Sequence, residues 1–373
     1  MRRHAITLTS ALVAACAALL AGCSSSDDGK PEGGSGTPAP ASTAQPTATP
    51  TATAGTGAAR ALVTGLSVPW GIAFLPGGDA LVTERDSARL LRVTPAGKKT
   101  VVGTVPDVRP SGEGGLLGVA VSPGYARDHQ IFLYYTAADD NRVVRATYDG
   151  RLDTPRPIVT GIPKGDNHNG GRLAFGPDGM LYATTGESGA PEKSQERGSL
   201  GGKILRVTPD GRPAPGNPFG TPVWTYGHRN VQGIAWDERQ RLYATEFGQV
   251  RFDEINRIVK GDNNGWPTVE GIGHRRGFTD PLVTWPTDQA SPSGLAYADG
   301  SLWAAALQGT RLWQIPLRDG VPGRPVPRYQ DAYGRLRAVV RAPSGDLWVT
   351  TSNKDGRGDP KPDDDRILVL PAR

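Results

Sequence analysis

One pattern limits the fold of this chain before any other. An apolar run, a short turn of Pro, Asp or Gly, and a second apolar run occur together six times. Ile72-Ala-Phe-Leu-Pro-Gly-Gly-Asp-Ala-Leu-Val-Thr-Glu84 comes first, and Val119-Ala-Val-Ser-Pro with Ile131-Phe-Leu-Tyr-Tyr comes second. Leu173-Ala-Phe-Gly-Pro-Asp-Gly-Met-Leu-Tyr-Ala-Thr-Thr185 and Ile234-Ala-Trp-Asp-Glu-Arg-Gln-Arg-Leu-Tyr-Ala-Thr-Glu246 follow. The last two are Leu295-Ala-Tyr-Ala-Asp-Gly-Ser-Leu-Trp-Ala-Ala305 and Val339-Val-Arg-Ala-Pro-Ser-Gly-Asp-Leu-Trp-Val-Thr350. Each reads as a β-hairpin, because turn residues separate two strand-length apolar runs. They recur at about 45–60 residues, the spacing of propeller blades. Further strand-like runs, such as Arg89-Leu-Leu-Arg-Val93, Lys203-Ile-Leu-Arg-Val207 and Leu312-Trp-Gln-Ile-Pro-Leu317, give each unit three or four strands. No long apolar stretch of helical period follows the N-terminal segment, so helices should be few. The 50 glycines and 33 prolines suit a chain full of turns. The expected fold is all-β: a six-bladed β-propeller over residues 59–373, in which radial repetition closes a ring and protects strand edges. Two stacked β-sandwiches form the competing arrangement, since about 310 residues are many for one core.

The N-terminal end reads differently. Residues 1–23 combine Arg2 and Arg3, an apolar run from Ala5 to Ala18, and Leu20-Ala-Gly-Cys23. This is the plan of a secretory signal. It resembles a bacterial lipoprotein signal, which implies that Cys23 becomes the lipid-carrying N-terminus and anchors the protein to the cell membrane from outside the cytoplasm. Residues 24–58 are Ser, Gly, Thr, Pro and Ala with almost no large apolar side chain. Such a segment buries too little surface to offset chain entropy and is expected to be a disordered tether. Cys16 and Cys23 are the two cysteines, so the propeller has no disulfide and no thiol chemistry. The formal net charge of +5 is spread along the chain without a basic block, which argues against nucleic acid as a partner.

In a propeller the connections of all blades meet around one end of the axis, so residues distant in sequence converge there. Gly165-Asp-Asn-His-Asn-Gly-Gly-Arg-Leu173 is the most suggestive of these connections. Gly and Asn let the backbone turn sharply and hold the imidazole of His168 at the head of a strand. The other polar, glycine-bearing connections supply Glu113, Glu187, Asp253 and Glu254, and the guanidinium groups of Arg229, Arg335 and Arg337. Clustered arginines point to an anionic ligand, because the guanidinium fork matches carboxylate or phosphate. A carboxylate beside a histidine fixes its tautomer and makes it a base. Acids with backbone carbonyls suit Ca²⁺. For any single acid, a blade-closing turn or a surface ion pair is the competing reading.

Taken together, Gly112-Glu-Gly-Gly-Leu-Leu-Gly118, His168-Asn-Gly-Gly-Arg-Leu173, Gly227-His-Arg-Asn230 with Gln232-Gly233, Asp253-Glu-Ile-Asn256 and Gly265-Trp-Pro267 stand in that order. The chain from Leu62 to Leu370 thereby resembles the soluble, PQQ-dependent aldose sugar dehydrogenases of the glucose/sorbosone dehydrogenase family. The resemblance implies oxidation of an aldose at its anomeric carbon to a lactone, with PQQ and Ca²⁺ as cofactors. It implies that His168 is the base, that Glu187 orients it, and that Arg229, with Asn230 beside it, faces the quinone oxygens. Glu113 falls at a polar position near the histidine, where glucose enzymes carry glutamine. Arg335 and Arg337 fall where the family holds the PQQ carboxylates. The carbonyls of Gly248 and Gln249 fall at the Ca²⁺ that bridges to PQQ, and Asp253, Glu254 and the carbonyl of Asn264 near a second calcium region. Two departures stand out: Gln308 occupies the place of a lysine expected to contact PQQ, and the long insertions of the glucose enzymes are missing. The second favours a compact monomer with a broad aldose range. The electron acceptor is not specified by the sequence. A non-catalytic sugar- or partner-binding propeller and a calcium-dependent sugar lactonase are the competing functions.

Overall fold

The computed structural model describes residues 59–372; the signal, Cys16, Cys23 and the tether lie outside the described residues. Six antiparallel sheets follow one another in chain order, each running from an inner strand to an outer one. The first is Pro69–Phe74, Ala80–Glu84, Arg89–Val93 and Lys99–Thr104. The second is Leu116–Val121, Gln130–Thr136, Asn141–Thr147 and Arg156–Ile162. The third is Leu173–Phe175, Leu181–Thr184, Lys203–Val207 and Val223–Tyr226. The fourth is Val231–Trp236, Leu242–Glu246, Asp253–Ile258 and Val283–Trp285. The fifth begins with Pro292–Ala298, Ser301–Ala306 and Arg311–Arg318, against which Val321–Pro322 and Val326–Arg328 pair. The sixth takes Leu336–Arg341, Leu347–Thr351 and Ile367–Leu370 from the end of the chain and Arg60–Val63 from its beginning, with Arg60 opposite Val369. That last pairing closes the ring. Among the described residues the helical elements are one four-residue α-helix, Tyr125–Asp128, and one 3-10 turn, Pro191–Ser194. The propeller expected from the repeats is therefore the fold, and the paired sandwiches are not.

The repeats pack for reasons visible in their residues. Each second strand lies between two neighbouring blades and is buried on both faces, as Ala80–Glu84 and Leu347–Thr351 show. A continuous apolar run is what such a strand requires. Leu81, Leu116, Ile131 and Leu133 fill the seam between the first two blades, and Phe74 meets Trp348 edge to face across the closing seam, centroids 5.0 Å apart. Side chains of this size contribute roughly 1.5–3 kcal/mol each when fully buried.

The inner strands come closer still. A Cβ on Gly118 would stand 2.2 Å from the Gly171 carbonyl, and one on Gly233 2.4 Å from that of Ser293. Glycine therefore lets one inner strand touch the next. A threonine at or next to the end of four of the repeats bolts the same seams. Thr83 donates to the Leu117 carbonyl at 2.5 Å, Thr184 to Val231 at 2.7 Å, Thr245 to Ser293 at 2.6 Å and Thr350 to Pro69 at 3.4 Å. In each case the acceptor belongs to the following blade. Inner strands start, and second strands finish, at the same end of the ring, and the site is built there.

Candidate active site

Residues entering the inner strands (Glu113, His168, Arg229, Asn230, Arg335) and residues leaving the second strands (Glu187, Phe247, Gln308, Asp355) gather at that end. Glu113, His168, Arg229, Asn230, Gln308, Arg335 and Arg337 line one cavity of about 220 Å³, together with Gln232 and Arg357. The sequence had placed the first seven in one site, and the fold brings them together.

His168 is held by its backbone as firmly as by its ring. Its φ of 54° lies in the left-handed region. Its amide donates to Glu113 Oε2 at 3.1 Å, and its carbonyl accepts from the Ser188 amide at 3.2 Å and hydroxyl at 3.1 Å. A side chain on Gly186 would strike that carbonyl, so glycine is required there. The ring nitrogen Nδ1 pairs with the buried carboxylate of Glu187. That carboxylate selects the tautomer with the proton on Nδ1 and leaves Nε2 as an acceptor. The side chain is 14% exposed, enough for one nitrogen to meet a ligand. The other Glu187 oxygen, Oε2, is buried and has no hydrogen-bond partner. Lys203 anchors the loop behind Glu187 by donating to the carbonyls of Lys193, Ser194 and Gly201 at 2.7, 3.0 and 2.6 Å. Burial lowers its ammonium to about 7.

Glu113 closes the mouth of the cavity. Its Oε1 accepts from Arg357 Nη1 at 2.7 Å, across 244 residues of chain. Burial pushes its carboxyl up, but Arg357 and the His168 amide outweigh this and hold it below the ordinary value.

The opposite wall is cationic. Asp355 Oδ2 accepts from Arg335 Nη2 at 3.0 Å and Arg337 Nη2 at 3.3 Å, and Arg337 also donates to Ser352 and Gln232. Burial lowers Arg337 to about 10, opposed by Asp355 and helped by Arg85 and Arg335 nearby. Burial also raises Asp355, yet the two arginines hold it below the ordinary range. One carboxylate thus faces two guanidinium groups. Arg172 lies beneath, stacked 4.4 Å from the Trp70 ring, with its Nη2 unpartnered and burial lowering it to about 9. The charge balance calls for an anion.

Arg229 lines the same cavity and is held by the Glu246–Gln249 connection. Its Nε donates to Gln249 Oε1 at 3.0 Å, its Nη1 to the Phe247 carbonyl at 3.3 Å, and its amide to Glu246 Oε1 at 2.5 Å. Burial lowers its basicity, against several nearby carboxylates. The fully buried His228 braces Glu246 from below, Nδ1 to Oε2 at 2.8 Å. Asn230 Oδ1 accepts the Gly170 amide at 3.0 Å, tying this segment to the His168 turn.

The expected metal ligands divide into two groups. The carbonyls of Gly248 and Gln249 accept no backbone hydrogen bond from the described residues. Asp253 instead accepts the amides of Gly248 at 2.9 Å and Ser291 at 2.5 Å, and Glu254 accepts from Gly271 at 2.8 Å and Asn256 at 3.0 Å. Burial raises Asp253 to about 7. Glu254 is raised by burial and by Glu246 beside it. Glu254, Asn264 and Gly248 line a separate void of about 10 Å³, room for about one water. Among the described residues no group of three or more His, Cys, Asp or Glu is set for a metal ion.

Asp355, Arg357, Gln232 and Glu270 carry parts of this architecture without having been assigned a role from sequence. A signal existed for the first two. Ser352-Asn-Lys-Asp-Gly-Arg-Gly358 follows the last repeat as Gly186-Glu-Ser-Gly189 follows the third. Glu270 stands in no such register.

Known proteins bear on this geometry. The sequence profile of the family described as Glucose / Sorbosone dehydrogenase matches residues 66–362. The PQQ-bound aldose sugar dehydrogenase of Streptomyces coelicolor is 58% identical, with a TM-score of 0.82 over 84% of this chain and 96% of its own. Aldose sugar dehydrogenase YliI of Escherichia coli is 32% identical over 78% of this chain and 89% of its own. Quinoprotein glucose dehydrogenase B of Acinetobacter calcoaceticus is 31% identical over 59% of this chain and 54% of its own. The family match reaches into every blade and includes the cavity residues: the chain belongs to the Glucose / Sorbosone dehydrogenase family and is an oxidoreductase of that family.

Proposed function

We propose that the protein oxidises aldoses at the anomeric carbon to lactones, using PQQ and Ca²⁺ at the cavity between His168 and the Arg335–Arg337 pair. The observation that carries this reading is the opposition of the two walls: a carboxylate-oriented imidazole on one side and a surplus of buried guanidinium on the other. The donors suit the cofactor. PQQ bears carboxylates, and among the described residues Arg335 and Arg337 share the one carboxylate of Asp355. Gln308 supplies an amide where a further cation was expected, so Arg335, Arg337 and Arg229 carry the charge. The carbonyls of Gly248 and Gln249, which accept no amide from the described residues, suit an oxygen-seeking divalent cation. The PQQ-bound Streptomyces relative supports the same cofactor here.

When bound, PQQ supplies the two-electron acceptor for hydride from the sugar. The protein's part is to move the proton and hold the charge. His168 Nε2 takes the anomeric hydroxyl proton, Glu187 stabilises the resulting imidazolium through Nδ1–H, and Arg229 stabilises negative charge that develops near it. Glu113, ionised and locked by Arg357, offers an acceptor for a sugar hydroxyl. Lipid attachment at Cys23, an extracytoplasmic location and a monomeric state belong to the same proposal and rest on the sequence of residues 1–58 and the missing insertions.

The test is a titration of the protein with PQQ with and without Ca²⁺, followed by addition of an aldose. The expected result is calcium-dependent binding and bleaching of the quinone absorbance by sugar. Absence of PQQ binding turns the reading toward a binding propeller. Binding without bleaching by several aldoses rules out the oxidation.

A further inference from the structure

Glu270 lies outside the lining of the large cavity, beside the small void it shares with Gly248, Glu254 and Asn264, and outside every motif above. Its Oε1 nevertheless accepts four successive backbone amides: Gln249 at 2.7 Å, Val250 at 3.1 Å, Arg251 at 3.0 Å and Phe252 at 3.2 Å. Consecutive N–H groups curled around one oxygen form an anion-binding nest, here filled by the protein's own carboxylate. Burial raises the Glu270 carboxyl, but the four amides outweigh it and hold it below the ordinary value. Asp253 extends the clamp to the Gly248 amide at 2.9 Å. The turn is also sterically closed. A Cβ on Gly248 would stand 1.8 Å from the Phe252 carbonyl, and one on Gly271 2.5 Å from the Phe252 ring.

The clamp leaves particular groups unused. All amides from Gly248 to Phe252 face carboxylates, while the Gly248 and Gln249 carbonyls accept no backbone hydrogen bond from the described residues. The Gln249 side chain reaches Arg229 Nε at 3.0 Å, so the turn also sets the guanidinium that faces the cavity. Yet Val250 at the tip is 72% exposed, and Gln249 and Arg251 are exposed as well. A short turn whose three central residues are exposed is ordinarily mobile.

We propose that Glu270 is a positioning residue that presets the Gly248–Phe252 turn, so that its two carbonyls receive a divalent cation and Gln249 holds Arg229 before the cofactor arrives. The proposal rests on the reading of a calcium-bound PQQ site. Ordering the turn in advance removes an entropic cost from cation binding, which appears as affinity.

Two measurements on Glu270→Ala and Glu270→Gln test it. The first is trypsin cleavage after Arg251 in the protein without cofactor or Ca²⁺. Cleavage is expected to be slow in the parent and at least tenfold faster in Glu270→Ala. The second is the Ca²⁺ concentration giving half-maximal PQQ binding. It is expected to rise about tenfold or more in Glu270→Ala and less in Glu270→Gln, which keeps an oxygen for the amides without the charge. If both variants keep the parent's cleavage rate and calcium dependence, Glu270 does not position the turn. Faster cleavage with unchanged calcium dependence also overturns the proposal, leaving a purely structural clamp. Should Glu270→Ala fail to fold, Glu270→Gln carries both readouts. Failure of the underlying functional reading would appear in the parent protein itself, as PQQ binding that ignores Ca²⁺.

Discussion

The two walls of the cavity are built on opposite plans. On the His168 side the contacts are separate: Nδ1 has Glu187, the amide has Glu113, and Nε2 has no partner among the described residues. On the Arg335–Arg337 side the charges are knotted together through Asp355, Ser352 and Gln232. A group that transfers a proton must keep an atom unoccupied, whereas groups that hold a multiply charged ligand gain from being immobile beforehand. The contrast teaches that removing a group on the first wall should cost rate, and on the second should cost binding and stability.

The largest expected effect separates the two most sharply. His168→Ala should lower turnover about 10²–10⁴-fold, the range for a lost general base, while PQQ affinity stays near that of the parent. Stopped-flow reduction of bound PQQ with an aldose reads the first and absorbance titration the second; loss of binding in step with rate would erase the distinction between the walls.

Asp355→Asn addresses the other wall. Two buried guanidinium groups lose their shared anion, and breaking a buried pair costs about 3–5 kcal/mol. Denaturant unfolding of the apoprotein should show this loss, and saturating PQQ should recover part of it by supplying carboxylates. The pH dependence has a definite sign. Asp355 is held below its unfolded value, so its contribution is complete above about pH 4 and disappears as pH falls through the depressed folded value. The gap between parent and variant should therefore narrow in acid. A gap that widens below pH 4 would mean that Asp355 is not the counter-ion.

The smallest effect belongs to neither wall. Thr245→Val removes one interblade bolt and should cost about 1 kcal/mol of stability with turnover unchanged. A larger drop in turnover than in stability would show that the seam between the fourth and fifth blades transmits to the site.

Much of this was legible in the chain, for physical reasons. Hairpins with a fixed period announce a ring, because each unit exposes two apolar faces that only its neighbours can cover. The site residues were legible where they occupy a fixed offset from a repeat, as His168 and Arg229 do before inner strands. Glu270 was not, because it lies in a long connection and acts on backbone amides, whose positions no side-chain pattern encodes. The resemblance implies a calcium region near Asp253 and Glu254, and in the fold their oxygens also accept the amides of Gly248, Ser291 and Gly271. A carboxylate's identity does not say which donor it will face.

The closing blade holds both ends of the described chain, with Arg60–Val63 outermost and Ile367–Leu370 just inside it. A pull on the chain at Ala59 enters the molecule at this rim. Two further strands separate that rim from Arg335 and Arg337 at the hub. Tension would be carried first by the backbone ladder between Arg60–Val63 and its partner, so the outer strand acts as a strain relief. A load at Ala59 can be borne there without disturbing the hub, until the ladder shears and the ring loses its clasp.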